Sequence, residues 1–283
     1  MKILVTGCSG FISREFVSYF KNINHAIYLT NRNNLNVLNE QEVDNFFKDN
    51  KIDVVVHSAA KGGRRTCKES YEDFLCNMRM YDNLSKHADE FKMMFHFGSG
   101  AEFDRRTDID DVKEEEIYDS FPVDFYGFSK KMIAKKIKKH SDNIINLRLF
   151  GCFGIQENED RMIKSNIKRY VNNEPIIIHK NKKMDFFFAE DLCRVIEFYL
   201  QNWNPGTPRD VNMVYPQKET LKDIANMINF LSENKSKIIV EQDGLDNSYC
   251  GNGEKLNNLN IDLVGLSYGL RKLYSSLFNK KRF

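Results

Sequence analysis

The chain reads as an α/β protein, a doubly wound parallel sheet followed by a smaller C-terminal α/β lobe. Three observations predict this. Up to about residue 150, short apolar runs alternate with stretches whose apolar residues recur at helical spacing, the pattern of parallel strands joined by helical crossovers. The first strand runs straight into a glycine turn and then an amphipathic segment. From about residue 155 the alternation loosens, which marks a second unit.

Residues 2–5, Lys-Ile-Leu-Val, form a short buried strand. Gly7 and Gly10 follow, and Phe11, Ile12, Phe16, Val17 and Phe20 then share one helix face. A glycine turn lets the backbone approach a diphosphate, and the helix start offers it free N–H groups and a positive dipole end. An ordinary tight turn has the same local pattern. Residues 26–30 are a second strand ending in Asn31-Arg32-Asn33-Asn34. In dinucleotide folds this point lies beside the adenosine ribose, where a carboxylate binds a free 2′-hydroxyl and an arginine accommodates a 2′-phosphate. Arg32 therefore argues for NADP(H) over NAD(H), against the alternative of a solvated turn arginine.

Residues 40–48 carry a short helix pattern, and 53–57 are a third, buried strand running into Ser58-Ala59-Ala60-Lys61-Gly62-Gly63. Small residues here let a flat ring or a backbone come close. Arg64 and Arg65 follow, either to meet phosphate or to stay solvated. A long helix spans 71–91 and a strand spans 93–97, ending in Gly98-Ser99-Gly100-Ala101-Glu102. The acidic stretch 104–119 shows no period and no ligand-like spacing, so it reads as a solvated loop with no metal site. A helix over 126–140 and a strand over 144–150 complete the alternation. Beyond it come a helix at 161–172, a strand at 175–179, the apolar run 186–188, a helix at 190–201 and a Pro/Gly connector at 204–208. A helix over 220–232 with Thr220 as N-cap precedes a tail, 255–283, holding one last helix.

The totals narrow the class. The 283 residues carry 42 basic and 40 acidic side chains, a balance that argues against nucleic acid or an acidic membrane surface as partner. No apolar run approaches the ~20 residues of a membrane helix, and no secretory leader pattern opens the chain. The six cysteines, at 8, 67, 76, 152, 193 and 250, form no CxxC pair, so neither a disulfide framework nor a zinc site is expected. A cytoplasmic protein with reduced thiols follows.

Ser99 at a strand end, Tyr126, and Lys130 four residues later carry the chemistry. The spacing puts Tyr126 and Lys130 on one helix face. A phenol with a pKa of about 10 is a poor proton-transfer group at neutral pH, and a neighbouring ammonium is expected to lower it. The serine hydroxyl shares the substrate oxygen. The set suits proton transfer to a carbonyl while a nicotinamide delivers hydride to its carbon.

These motifs resemble the extended short-chain dehydrogenase/reductases that act on nucleotide-diphosphate sugars, with a Rossmann domain and a smaller C-terminal lobe. The likeness covers nearly the whole chain: Thr6-Gly-Cys-Ser-Gly-Phe-Ile12, His57-Ser-Ala-Ala-Lys61, Gly98-Ser99, Tyr126-Gly-Phe-Ser-Lys130, Leu147-Arg-Leu-Phe-Gly-Cys-Phe-Gly154 and Asp185-Phe-Phe-Phe-Ala-Glu-Asp-Leu192. Within that group the chain is most similar to the GDP-fucose synthase family of GDP-4-keto-6-deoxymannose epimerase/reductases. The resemblance implies a Rossmann domain over 1–155 that binds NADPH, a sugar-nucleotide lobe over 156–283 with segments crossing back, and a homodimer. It implies cofactor contacts from Gly7, Ser9, Gly10, Phe11, Ile12, Arg32, Ala59, Ala60, Lys61, Tyr126 and Lys130. On the substrate side it implies Ser99, Gly100, Ala101, Cys152, Arg161 and Lys183, with Cys152 as a small pocket-lining residue.

The departures carry as much. Ser13 replaces the fingerprint's third glycine, which is expected to loosen helix–strand packing without abolishing binding. The family's epimerising cysteine, two residues after the serine, is Ala101 here, and its histidine falls near Arg161, with no histidine anywhere in 141–178. Neither replacement can shuttle a proton, so the expected activity is C4-keto reduction of a nucleotide-linked deoxyhexose or heptose, GDP-linked by preference, without C3/C5 epimerisation, in surface-polysaccharide (capsule) biosynthesis. The family's diphosphate-binding arginine is Met184, beside which Lys183 stands as a point-charge substitute. The rivals are a 4-epimerase or a 4,6-dehydratase of the same fold. The dehydratase needs an acid–base pair that Gly100-Ala101-Glu102 does not supply. A non-catalytic NADP-binding regulator is a third reading, and such proteins commonly lose the Tyr or the Lys kept here.

Overall fold

A computed structural model of the chain describes residues 1–63, 68–140 and 142–281. Arg64 and Arg65 lie outside the described residues. In chain order come β1 (Lys2–Thr6), α1 (Phe11–Phe20), β2 (Ala26–Thr30), α2 (Glu40–Asp49), β3 (Val54–His57), α3 (Tyr71–Ser85) and β4 (Met93–Ser99). Then follow β5 (Ile109–Val112), α4 (Phe125–His140), β6 (Ile144–Leu149), β7 (Cys152–Phe153), α5 (Met162–Val171), β8 (Ile176–Asn181), β9 (Phe187–Phe188) and α6 (Ala189–Asn202). The remainder holds β10 (Asp210–Met213), α7 (Leu221–Asn229), β11 (Ile238–Leu245), β12 (Tyr249–Gly251), α8 (Glu254–Asn257) and α9 (Gly265–Lys281).

Six strands form the central sheet in the order β10-β6-β4-β3-β1-β2, and every neighbouring pair is parallel. The fold is the doubly wound Rossmann type. Strands β3 and β4 are buried along their whole length, because helices cover both faces of the sheet. On one face, Phe16 and Phe20 of α1 pack with Val195, Ile196 and Tyr199 of α6. On the other, Val43, Phe47, Leu84, Ile133 and Ile137 bring in α2, α3 and α4. Each such side chain contributes about 1.5–3 kcal/mol of burial. A separate core joins α5, α7, α9 and β8 through Ile163, Ile167, Ile178, Ile224, Ile228 and Leu273. The strand order reverses between β1 and β3, and the loops leaving those two strands therefore open a crevice at the carboxyl edge, where ligands bind in such sheets.

Four sequence expectations need correction. Ser13 does not loosen α1: it is fully buried, and its hydroxyl donates to the Thr6 carbonyl at 3.2 Å, tying the helix to the end of β1. The helix from residue 71 stops at Ser85, where the Lys86 and His87 amides turn back onto Asp82 and Leu84. His87 there stacks on Phe47 at 4.4 Å and meets Asp44 at 2.9 Å. The acidic stretch 104–119 is no plain loop: β5 pairs in parallel with β12, a 3-10 turn follows at Glu114–Tyr118, and buried Glu114 accepts the Asn212 N–H at 2.8 Å. Strands β10, β11 and β12 also stand where no element was expected. Thr220 does cap α7, accepting the Asp223 N–H at 3.1 Å. Among the described residues no helix is long and apolar enough to cross a membrane, and no cluster of His, Cys, Asp and Glu fit to hold a metal occurs.

Candidate active site

The crevice between β1 and β3 is built for close backbone approach. Gly7 has φ +66°, and a Cβ there would stand 2.8 Å from Ala59 Cα, so the turn after β1 rests directly on the loop after β3. The next helix starts open. Helices α2, α3 and α7 carry side-chain caps and acidic first turns, whereas α1 begins at Gly10 with neither. Its first N–H groups and its dipole end are left for an anion. Ser9 is exposed beside them, and Phe11 and Ile12 are half-buried against the core. These features fit the diphosphate of a dinucleotide.

After β3, the Lys61 amide donates to Asn77 Oδ1 at 2.8 Å, and its carbonyl accepts Asn77 Nδ2 at 2.9 Å. Asn77 also donates to Ser129 of α4 at 3.0 Å. One buried amide of α3 thereby holds the Ala59-Ala60-Lys61 loop, with Ala60 exposed. At the end of β2, Asn31 and Asn34 fold the turn through their own side chains. Arg32 is left exposed on it, with no hydrogen-bond or ion-pair partner among the described residues, a position suited to a 2′-phosphate.

Ser99, Tyr126 and Lys130 converge at the carboxyl end of β4. The Ser99 amide donates to Glu102 Oε1 at 2.8 Å, and its hydroxyl accepts the Ala101 N–H at 3.1 Å. Glu102 is fully buried and ion-paired with Arg148 of β6, Nε to Oε2 2.7 Å. Arg148 also reaches Asn212 at 3.1 Å and Asp210 at 2.9 Å. The serine turn thus sits on a buried charge network. Glu69 holds Tyr126 from the other direction: one oxygen accepts the Tyr126 amide and the other the Gly63 amide, both at 3.0 Å. Gly63, at φ +77°, lies on the phenol ring, where a Cβ would come within 2.9 Å of Tyr126 Cζ.

The electrostatics correct one expectation. Burial pushes the Tyr126 phenol above its ordinary pKa, a rise that the Ser99 hydroxyl opposes. Lys130 does not reverse this. Its ammonium donates to the Phe97 carbonyl at 2.7 Å and stands 5.8 Å from the Tyr126 ring centroid, and burial lowers its own pKa to about 8. At neutral pH the phenol therefore keeps its proton and is poised as an acid. Beneath Lys130, His57 is held by Thr6 Oγ1 at 2.8 Å. Burial lowers His57 to about 3 and His96 well below the usual imidazole value, so both stay neutral.

The remaining substrate-side expectations divide. Gly100 and Ala101 are buried in the turn next to Ser99. Cys152 packs in the main core with Phe187, Ala189 and Cys193, and burial holds its thiol well above the usual value. Phe150, two residues earlier, faces the Ser99 turn instead. Arg161 stands at the N-terminal boundary of α5, without a side-chain cap bond, and pairs with Glu157, Nε to Oε1 3.4 Å; nothing joins it to Ser99 or Tyr126 among the described residues. Lys183 is already engaged by Asp110 of β5 at 2.6 Å.

Three residues were missed in the sequence: Glu69, Arg105 and Tyr249. Arg105 pairs with Asp124 at 2.9 Å and its charge acts on both the Tyr126 and Tyr249 phenols. The only local signal was the short run Tyr249-Cys-Gly251, which reads as a strand once its partner is known.

The chain is 21% identical over 250 residues to GDP-L-colitose synthase of Yersinia pseudotuberculosis, covering 81% of each. In structure it resembles the NADP-bound GDP-mannoheptose C4 reductase of Campylobacter jejuni, with TM-score 0.79, 17% identity and 97% of each chain covered. It also resembles GDP-L-fucose synthetase of Naegleria fowleri, with TM-score 0.79, 15% identity, and 99% of this chain and 94% of that one covered. At such identities these structural likenesses establish a shared fold. Residues 3–213 match the NAD dependent epimerase/dehydratase family, and the chain belongs to that family.

Proposed function

We propose that the protein reduces the C4 keto group of a nucleotide-diphosphate 4-keto sugar, a deoxyhexose or heptose with GDP favoured, using NADPH and without epimerisation at C3 or C5. The observation that carries this is the meeting of α4 with the Ser99 turn, where Gly127 packs on the Ala101 carbonyl and Lys130 reaches the Phe97 carbonyl, with the buried methyl of Ala101 where the resemblance places a second proton-transfer group.

Gly7, Ser9, Gly10, Phe11 and Ile12 hold the cofactor diphosphate, Arg32 takes the 2′-phosphate, and Ala59, Ala60 and Lys61 line the nucleoside. When bound, the nicotinamide supplies the hydride that reaches C4. Tyr126 gives its phenolic proton to the C4 oxygen, and Ser99 donates a hydrogen bond that orients that oxygen. The Lys130 ammonium lies beside the phenolate that remains, and favours it. The sugar nucleotide is assigned to 156–283, the cofactor to 1–155, and the active form to a homodimer. Glu102 cannot act as a dehydratase acid, because Arg148 holds it in the interior.

The test is NADPH consumption with a panel of GDP-, dTDP-, CDP- and UDP-4-keto sugars, with the product analysed by NMR in deuterated water. Consumption with deuterium absent from C3 and C5 supports the reading. No consumption with any sugar sinks it, and deuterium at C3 or C5 overturns the claim of no epimerisation.

A further inference from the structure

Tyr126 is tied by its N–H and by its carbonyl to the loop that follows β3. On the N–H side stands Glu69, which is half-buried. Its Oε2 accepts the Tyr126 N–H and its Oε1 the Gly63 N–H, both at 3.0 Å. On the carbonyl side stands Ser129, fully buried, whose hydroxyl donates to the Tyr126 carbonyl at 2.7 Å. Ser129 in turn accepts Asn77 Nδ2 at 3.0 Å, and Asn77 grips both the amide and the carbonyl of Lys61. Two chains of hydrogen bonds thus run from residues 61–63 to one residue of α4.

The two links differ in kind. The Asn77 amide uses its acceptor oxygen and both of its donor hydrogens. Glu69 does what only a carboxylate can do, offering one acceptor oxygen to each of two N–H groups. The Tyr126 N–H is among the first of α4, which no carbonyl of the helix reaches, and an anion is favoured there. The Gly63 N–H belongs to a backbone at φ +77°, next to Gly62 at φ +82°. Both glycines lie on the Tyr126 side chain, and a Cβ at Gly62 would stand 3.2 Å from Tyr126 Cβ. A displacement of this loop therefore bears directly on the ring.

The same loop begins with Ala59, Ala60 and Lys61, assigned above to the cofactor. We infer that Glu69 is a positioning residue of the reductase, whose carboxylate ties the cofactor loop to the Tyr126 backbone and so fixes the proton donor relative to the hydride donor. This rests on the cofactor placement and the ketoreductase reading above. Reduction needs both transfers at one carbonyl, and a misplacement of about 1 Å costs about 10²-fold. Helix α4 fixes Tyr126 relative to Lys130, but not relative to the loop after β3. The shared carboxylate supplies that second reference.

Two measurements test it, one without any sugar. Gly62-Gly63 is the only Gly-Gly pair in the sequence, so 13C′/15N glycine labelling isolates the Gly63 amide. Labelling with 15N-tyrosine, compared with Tyr126→Phe, identifies the Tyr126 amide. The probe is adenosine 2′,5′-bisphosphate, the adenosine end of NADPH without the nicotinamide. Its binding should move both amide signals, and in Glu69→Gln the Tyr126 shift should fall to less than about half. Either signal staying in place in the wild type, or a Tyr126 shift as large in the variant, overturns the inference whatever the protein turns over. In the second measurement, Glu69→Gln keeps the side chain's size but sets an NH2 group against one of the two N–H groups. It should lower kcat about 10-fold while KM for the sugar nucleotide and NADPH affinity change less than about threefold. Added to Tyr126→Phe, the same substitution should cost less than about twofold more, because its effect passes through the phenol. A full additional loss in that background, or an unchanged kcat in the wild-type background, overturns the positioning role. Failure of the bisphosphate to bind removes the cofactor placement and the role built on it. Absence of turnover with every sugar of the panel removes the ketoreductase reading, while the amide shifts still decide the link.

Discussion

Two sides of one hydroxyl are built in different ways. On one side of Ser99 stands α4, where Tyr126 and Lys130 share a face because a helix repeats every 3.6 residues. On the other stands β12, which brings Tyr249 against Gly100 through its pairing with β5 and its bonds to Lys183 and Asp185, a junction closed by the Ser248–Asp108 hydrogen bond between segments 140 residues apart. The first side is a local consequence of sequence. The second is a long-range consequence of folding, and no periodicity in either segment announces it. In the proposed reaction the motif side supplies the proton, and the paired-strand side closes the serine turn from the other direction.

The largest effect should come from the motif side. Tyr126→Phe removes the acid but leaves the ring against Gly63, so turnover should fall about 10²–10⁴-fold with NADPH affinity unchanged in a fluorescence titration. An unimpaired variant would move the chemistry away from α4 and break the comparison at its root.

The charge network under the serine turn comes next, since it supports both sides. Arg148→Met leaves Glu102 buried without its partner, which costs about 3–5 kcal/mol in urea unfolding. The double change Arg148→Met with Glu102→Gln should recover most of that loss, because the stranded charge is gone. If the single change costs under about 1 kcal/mol, water reaches Glu102 and the turn is not held by a dry ion pair.

How much of this was readable in the sequence follows the same division. The parallel sheet, the glycine turn and the Ser99–Tyr126–Lys130 set were legible because strands β1 to β4 and β6 and helices α1 to α4 carry their apolar period within ten or so residues. Strand β5 was not, because only Ile109 of its four residues is buried and its charged neighbours read as solvated. Tyr126 was misjudged in sign: proximity to an ammonium was legible, but the burial that outweighs it was not.

A smaller effect should come from Arg32, which stands apart from both sides. Arg32→Ala should weaken NADPH by about 1.5–3 kcal/mol and leave NADH affinity nearly unchanged, measured by isothermal titration. Equal losses for the two cofactors would assign Arg32 to the adenine or the diphosphate, and would leave the phosphate preference without a residue.

The smallest effect is expected at Lys183, and it is the most informative about the paired-strand side. Sequence position made Lys183 the substitute for a diphosphate-binding arginine. The structure instead joins it to Asp110, with both side chains close to half exposed, and an exposed pair of this kind is worth about 0–1 kcal/mol. Lys183→Ala should therefore change stability within that range and KM for the sugar nucleotide by less than about threefold. The pair also lies where β5 meets the β12 segment, since the Lys183 carbonyl accepts the Tyr249 N–H. A tenfold rise in KM would show that Lys183 leaves Asp110 to meet the diphosphate. Asp110→Asn would then lower KM by freeing the ammonium beforehand. With neither change, the charge on Lys183 serves only to pin the strand that carries Asp110.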